Sequence, residues 1–284
     1  MKDFNLFEDS LVLNPDKNYH LSIEMSQKGL IFSILDLDDK KYLGLKHISL
    51  NGESEENIKN SLDQIFENED ILQHKFSSSA IMYSSFRSML VPESFFNDQN
   101  LKTFLKFHHE VDEKDHILYH HLKSAEGFLI FTIPSYIEDY FTEKLSNVKF
   151  YHHCIPFISN NLRYSKATDN TPKICINLAE DFFDILIIRN AKILLFNSFF
   201  YKKYSDVLYF LINILNLFSL KPDIVKLVLI GNIDKEAEIE KEIKGLFKNF
   251  TFENYNTDFT YTAQFNEIES HRFVNLLNLY HCVL

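Results

Sequence analysis

Two segments of the chain carry the same pattern of three apolar stretches separated by short polar turns. The first segment spans residues 19–50 and reads HLSIEMS, GLIFSILD and KYLGLKHISL, and the second spans residues 173–201. Short stretches rich in Ile, Leu and Phe, bounded by Gly, Asn and Asp, predict β-strands joined as hairpins. In the first turn, Gly29 can take a positive φ. The repetition predicts two related three-stranded units.

Each triplet is followed by an amphipathic helix pattern and then by another apolar strand. After the first triplet, Ser54 opens a predicted helix that runs to about residue 68, and a strand follows at 76–84. Further strands are predicted between residues 86 and 133. The elements predicted after the second triplet are a helix at 205–219, a strand at 224–230, a charged helix at 235–248, a strand at 250–255 and a helix from about 266.

These elements predict an α/β protein with mixed α+β sheets and two lobes. The polar segment ATDNTP at 167–172 is rich in turn-forming residues and is the best candidate for a linker. The predicted lobes are therefore residues 1–168, with inserted strands near 86–133, and residues 169–284. In this plan the hairpin turns 25–29 and 179–182 face each other from separate sheets.

The charge balance and the cysteines limit the classes of function. The chain has 29 Lys and Arg residues against 40 Asp and Glu residues, a formal net charge of −11. No basic surplus is available to displace counterions from a phosphate backbone, which argues against a nucleic-acid partner. Three widely spaced cysteines favour reduced core thiols and a cytoplasmic protein. The N-terminus lacks a signal-peptide pattern, and the apolar stretch 207–220 is too short for a membrane span.

Three turns carry a resemblance to a known superfamily. Residues 177–185 read NLAEDFFDI, which is similar to the second phosphate loop of actin-like ATPases, where Asp and Leu precede a run of glycines and then Phe and Asp. Residues 23–26, IEMS, stand where those proteins have their first phosphate loop, and residues 229–232, LIGN, resemble their adenosine-binding turn. The chain thus resembles the superfamily of actin, sugar kinases and heat-shock chaperones, whose duplicated two-lobed, ribonuclease H-like fold binds ATP between the lobes.

A narrower resemblance concerns a bacterial family of unknown function that is assigned an actin-like ATPase fold. Phrases such as MLVPE at residues 89–93 suggest it. Both resemblances imply a nucleotide cleft whose vestiges, in this sequence, would be Glu24, Ser26, Lys28, Gly29, Asn177, Ala179, Gly231 and Asn232.

The same comparison shows departures from a working ATPase. Asn177 replaces the Asp of the second phosphate loop, while Glu180 and Asp181 take the place of glycines whose N–H groups approach phosphate in the superfamily. Ile155 stands before Pro156, where the superfamily has a polar catalytic group. Because carboxylates repel phosphate without a compensating metal, the loops are predicted to be degenerate, with no catalytic residue and no cofactor.

Two functions stay open at this point. The degenerate loops favour a non-catalytic interaction or scaffold protein with an unidentified protein partner. The aromatic run Phe199–Tyr201, together with Tyr204, is dense enough to suggest a partner surface. The alternative is a nucleotide-binding ATPase or kinase with atypical phosphate loops, which would bind Mg-ATP and use Glu24 as its carboxylate on the metal side.

Histidines and one cysteine are the remaining candidates for chemistry. His120 and His121 are adjacent on a predicted strand and point to opposite faces, so they do not converge easily on one metal ion. His152 or His153 could act as a base for Cys154, but the sequence shows no third residue to orient such a pair. The sequence therefore predicts no metal site and a core thiol at Cys154.

Overall fold

The computed structural model of the protein describes residues 2–51, 54–233 and 238–283. In the first half of the chain the strands and helices are, in order, β1 (Phe4–Asn5), β2 (Tyr19–Met25), β3 (Gly29–Asp36), β4 (Lys41–Ser49), α1 (Glu55–Asn68), β5 (Ser78–Tyr83), β6 (Ser88–Pro92), α2 (Leu101–Lys106), β7 (Asp115–Leu122), β8 (Gly127–Pro134), α3 (Ser135–Lys144), β9 (Val148–His152) and α4 (Cys154–Arg163). In the second half they are β10 (Lys173–Leu178), β11 (Phe182–Arg189), β12 (Lys192–Phe200), α5 (Tyr204–Leu217), β13 (Lys226–Gly231), α6 (Glu238–Leu246), β14 (Asn249–Phe252), β15 (Thr260–Tyr261), α7 (Val274–Asn278) and α8 (Tyr280–Val283).

The first predicted triplet forms the centre of a large sheet, which we call the first sheet. Its strand order is β1-β4-β3-β2-β5-β9, with β15 added beside β4. β2, β3 and β4 are antiparallel, whereas β5 runs parallel to β2 because α1 carries the chain back across the sheet. The Ser54 side chain caps α1 by accepting the Asn57 N–H at 3.2 Å, as its position predicts.

Gly29 is required by close packing and not by the turn. Gly29 does not use the positive φ that glycine permits, and Gly231 is the glycine that has one among the described residues. A Cβ atom added to Gly29 would lie 2.7 Å from Nε2 of His47 on the neighbouring strand β4. A side chain larger than hydrogen would therefore displace the ring of His47, which is buried.

The second triplet forms the second sheet, with strand order β12-β11-β10-β13-β14. Its first three strands are antiparallel and β13 is parallel to β10, so the order of the first sheet recurs. Val207, Leu211 and Leu215 of α5 are buried against this sheet, while Phe218, which its spacing places in the core, is only half-buried. The predicted start of the charged helix at 235 lies outside the described residues, which resume at 238.

The strands predicted between residues 86 and 133 form a separate, inserted sheet of order β6-β8-β7. Helix α4 lies between the lobes, and Cys154, Ile155 and Phe157 on it are fully buried. They share one core with residues of the first sheet and with Cys175 and Leu186 of the second. Within the part of the chain that the structure describes, no helix is both long and apolar enough to cross a bilayer.

The C-terminal segment does not form the single helix predicted from about residue 266. It forms β15, two 3-10 turns, α7 and α8, and these bends allow Phe265, Phe273 and Leu277 all to reach the core. β15 pairs with β4 of the first sheet, and the Tyr42 hydroxyl donates to the Leu277 carbonyl at 2.6 Å. The lobe limits stay a prediction, and the end of the predicted second lobe packs on the first sheet.

Candidate functional site

The turns that follow β2 and β10 face each other across a cavity of about 410 Å³, which we call the interlobe cleft. The two turns belong to separate sheets, as predicted. The residues that the resemblance assigns to a nucleotide cleft all line this cavity: Glu24, Ser26, Lys28, Gly29, Asn177, Ala179, Gly231 and Asn232. The structure thus brings together residues that are up to about two hundred positions apart, and their role in binding stays a prediction.

The opening of the cleft is bridged by contacts between the lobes. Lys28 Nζ lies 2.7 Å from Glu180 Oε1, so the cation of the first turn pairs with a carboxylate of the second. Phe86 stacks on Phe200 with ring centroids 4.0 Å apart, and its edge meets the ring of Phe182 at 6.1 Å. An exposed ion pair and an aromatic cluster therefore connect the two lobes at this opening.

Glu24 is a partly buried carboxyl group deep in the cleft. Burial raises its pKa to about 7, and the nearby His153 opposes that shift. Within residues 2–51, 54–233 and 238–283, no hydrogen bond or ion pair of the Glu24 side chain is found. Near neutral pH the group is therefore divided between its protonated and ionised forms, and the protonated form is a poor ligand for Mg²⁺.

The position of the missing loop aspartate is filled by a closed hydrogen-bond network. Asn177 Nδ2 donates to Asp184 Oδ2 at 2.8 Å, and the Asp184 carboxylate is completely buried. The same carboxylate accepts the Ser198 hydroxyl at 2.5 Å and the His153 Nε2–H at 2.7 Å. Asn177 is thus turned toward Asp184, and its amide is engaged inside the second lobe.

The turn that resembles an adenosine-binding site is fixed by close backbone packing and by a hydrogen bond to an arginine. Gly231 has a φ of 95°, and an added Cβ would lie 2.2 Å from the Leu178 carbonyl oxygen, so only glycine fits. The Asn232 N–H donates to that carbonyl at 2.6 Å, and Asn232 Oδ1 accepts from Arg272 Nη2 at 2.5 Å. A guanidinium from the C-terminal segment therefore lies beside the turn.

Three charged residues that line the cleft belong to no recognisable sequence motif, so the sequence alone did not identify them. Arg87 Nη1 pairs with Asp115 Oδ2 at 2.9 Å, and both come from the inserted sheet or its approach. Burial raises the pKa of Asp115, while Arg87 opposes that shift. Arg272 reaches the cleft from the segment predicted to be a continuous helix. Their positions depend on contacts between elements that are distant in sequence.

Cys154 and His153 do have a third residue beside them, contrary to the sequence-based expectation. His153 Nε2 lies 3.3 Å from Cys154 Sγ and 2.7 Å from Asp184 Oδ2. Both contacts use the same ring nitrogen, whereas a nucleophile–base relay uses opposite nitrogens, and Nδ1 is buried without a partner among the described residues. Burial raises the pKa of Cys154 well above its usual range. The geometry is that of a core thiol.

His152, His153 and Cys154 form a compact group of side chains that metal ions favour, with ligand atoms within 4.8 Å of one another. Both nitrogens of His152 are engaged within the protein: Nδ1 accepts the Cys154 N–H at 3.3 Å, and Nε2 contacts the Ser85 carbonyl at 2.9 Å. Hydrogen bonding thus occupies both nitrogens of His152 without an ion. The expected absence of a metal site stays a prediction.

The paired sheets, the helix between them and the cleft at their turns define an actin-like ATPase fold. The chain is similar to a protein of unknown function with this fold from Bacteroides thetaiotaomicron VPI-5482, with a TM-score of 0.78 and 21% identity over 94% of this chain and 96% of that one. It is also similar to a chain of the PilM–PilN type IV pilus biogenesis complex, with a TM-score of 0.53 and 10% identity over 93% and 98% of the two chains. At these identities the likeness shows the fold alone.

Residues 9–250 match the family described as "Protein of unknown function (DUF3822)", and the chain belongs to that family. The resemblance carried by the turns is thus confirmed for both the fold and the family of unknown function. A search of curated proteins gave no match.

Proposed function

We propose that the protein is a non-catalytic interaction protein that keeps the two-lobed shape of an actin-like ATPase without turning over ATP. The observation that carries this proposal is the Lys28–Glu180 ion pair across the opening of the cleft. In the superfamily that the chain resembles, these two turns approach phosphate. Here the second turn supplies a carboxylate in place of glycine, and that carboxylate is paired with the lysine of the first turn.

The remaining nucleotide positions support the same proposal. The Asn177 amide is held by Asp184, and Asn232 is held by Arg272, so both side chains have protein partners. ATP would have to separate these groups or bind beside them. Every such rearrangement reduces the affinity that the cleft can offer.

The fold neighbour PilM is known from a PilM–PilN complex, which shows that one protein of this fold associates with another protein. A binding role for the present chain is consistent with the bridged cleft. In this proposal the lobes form a rigid body on which a protein partner docks.

A second candidate function is Mg-ATP binding, and the observation that favours it is Glu24. This carboxyl group lies in a cavity of about 410 Å³. Among the residues that the structure describes, its side chain has no hydrogen-bond or ion-pair partner, and a cation bound there would favour its ionised form. A nucleotide-bound state would require the Lys28–Glu180 contact to open.

An assay of ATP hydrolysis and thermal unfolding tests the two functions. We expect no Mg-dependent hydrolysis above the blank and no rise in stability with Mg-ATP, whereas a ligand at 100 times its Kd would add about 2.7 kcal/mol. The double variant Glu180→Gly with Asp181→Gly removes the two loop carboxylates and should bind ATP more tightly than the wild type. If the wild type binds ATP tightly and Glu24→Ala abolishes this binding, Mg-ATP binding is the correct function and the non-catalytic interaction role is wrong.

A further inference from the structure

The strands β4 and β12, which correspond to each other in the two sheets, differ in whether a further strand covers their outer side. In the first sheet, β4 is covered at both ends, because β1 pairs with it at His47 and β15 pairs with it at Lys41. The corresponding strand of the second sheet, β12, pairs with β11 on one side. Among the residues that the structure describes, no strand covers its other side. An uncovered strand of this length is a template for pairing with another chain.

The free backbone groups of β12 can be identified from its pairing. Just after β12, the Tyr201 N–H donates to the carbonyl of Asp181, which lies in the turn between β10 and β11. Phe182 pairs with Phe200 in the next position. Since hydrogen-bonded and free positions alternate along an antiparallel strand, the N–H groups of Ser198 and Phe200 point away from β11. The Ser198 N–H is accepted by the side chain of its own neighbour, Asn197, at 2.9 Å.

The aromatic run singled out in the sequence is divided by this geometry. Phe199 stacks inward on Phe210 at 4.4 Å and Tyr201 stacks on Tyr204 at 6.2 Å. Phe200 stacks on Phe86 at the cleft opening but remains 59% exposed. Apart from Lys192 at its start, β12 contains no charged side chain, so residues 193–200 lack the lysines and glutamates that usually protect exposed strands.

The regular part of β12 is complementary to itself. The register between β11 and β12 shifts near Ile188, which leaves Leu195–Phe200 as the regular stretch. A twofold axis at Ser198 would join the outward N–H and C=O groups of two such stretches in an antiparallel ladder. Each Phe196 would then lie opposite Phe200 of the second copy, on the same face. Aromatic cross-strand pairs of this kind stabilise sheets, and a twofold axis closes the assembly.

We propose that β12 is a dimerisation edge, at which a second copy of this chain pairs antiparallel through residues 195–200 and extends the second sheet across both molecules. The Asn197 side chain competes with this pairing, because it occupies the Ser198 N–H that the second copy would use. Phe200 also lines the cleft opening, but residues 195–200 contain none of the eight nucleotide positions, so this proposal does not depend on whether the cleft binds ATP.

Sedimentation analysis of the full chain over a wide concentration range tests the proposal. We expect a reversible monomer–dimer equilibrium. Phe200→Pro removes one outward N–H per copy and should weaken dimerisation about tenfold or more, while Phe200→Ala, which keeps the N–H, should weaken it less. Asn197→Ala frees the Ser198 N–H and should tighten it, an effect that damage to the fold would not produce.

Hydrogen exchange locates the contact. Amides within residues 195–201 should become more protected as the concentration rises in the wild type and in Asn197→Ala. A protein that stays monomeric at all concentrations, or a dimer unaffected by both Phe200→Pro and Asn197→Ala, would overturn the proposal. Protection confined to another segment would do the same. If β12 pairs only with a strand of a different protein, the purified chain will remain monomeric, and this result would contradict the proposed dimer.

Discussion

At the scale of single residues, the polar groups around the cleft satisfy one another. Asp184 is completely buried and accepts hydrogen bonds from Asn177, His153 and Ser198. Asp181, three positions earlier in the same hairpin, is exposed. The two aspartates therefore have different roles, because the Asp184 carboxylate is surrounded by three protein donors whereas the Asp181 side chain faces solvent.

We expect Asp184→Ala to reduce the free energy of unfolding by about 3–5 kcal/mol, since it leaves buried donors without their acceptor. The matched variant Asp181→Ala should change it by less than about 0.5 kcal/mol. Urea unfolding followed by circular dichroism measures both. Equal costs for the two variants would contradict the buried network.

Glu24 makes the free energy of unfolding depend on pH between its unfolded and folded pKa values. Its pKa in the folded protein, about 7, lies above the ordinary value of 4.5, so the folded form holds the proton more tightly than the unfolded form. The contribution of Glu24 to stability is therefore full below about pH 4.5, declines as the pH rises, and is lost above about pH 7.

Glu24→Gln cannot ionise and should not show this decline. Relative to the wild type, the variant should gain on the order of 1–3 kcal/mol between pH 4.5 and pH 8. Urea unfolding of both proteins at several pH values gives the difference, and Glu113→Gln, a change at an exposed side chain outside the cleft, serves as the control. A difference between Glu24→Gln and wild type that is constant over this window would show that Glu24 ionises normally.

At the scale of elements, α5 shows how an apolar helix divides its residues between the core and solvent. Leu211 and Leu215 are buried against the second sheet, whereas Ile212 and Leu217 are 43% and 76% exposed. The spacing of the apolar residues assigns Leu211, Ile214 and Leu215 to one face of the helix, and all three are buried. Contact with the sheet decides that Phe218, at the same spacing, is only half-buried.

The two leucines of α5 offer a matched test. Leu215→Ala should cost about 2–5 kcal/mol of unfolding free energy, because it removes buried methyl groups and leaves a cavity. Leu217→Ala, with the same change in composition and helix propensity, should cost less than about 0.5 kcal/mol. Thermal and urea unfolding would measure both, and a large loss for Leu217→Ala would mean that this surface is covered in the native protein.

At the scale of the whole molecule, the C-terminal segment ties the predicted second lobe to the first sheet. β15 extends the first sheet, and Tyr42 in that sheet is completely buried and bonded to the Leu277 carbonyl. Arg272 in the same segment reaches the cleft. The lobes are thus joined at α4, at the opening of the cleft and by this returning segment.

Tyr42→Phe removes the hydroxyl that satisfies the buried Leu277 carbonyl and should lower the unfolding free energy by about 1–3 kcal/mol. Tyr209→Phe, at a tyrosine that is 65% exposed, should have almost no effect. We expect the lost stability to be local, so that residues 274–283 of Tyr42→Phe open before the rest of the chain. Hydrogen exchange measures this as faster exchange of their amides. Unchanged exchange there would show that the C-terminal segment is held by other contacts.

The sequence alone determined the repeated strand triplets, the helix capped by Ser54 and the fold class, because alternation, capping and turn residues act over a few neighbouring positions. It also predicted that the two hairpin turns meet, since the resemblance supplied the order of strands. The cleft residues from Glu24 to Asn232 could be named for the same reason.

The tertiary structure alone decided the contacts between distant segments. The Lys28–Glu180 pair, the burial of Asp184 and the arrival of Arg272 each depend on the angle at which two elements pack, which no local pattern records. The course of residues 260–283 and the uncovered edge of β12 were decided in the same way. Local preferences fix which elements form, but the burial of side chains between elements fixes which residues meet.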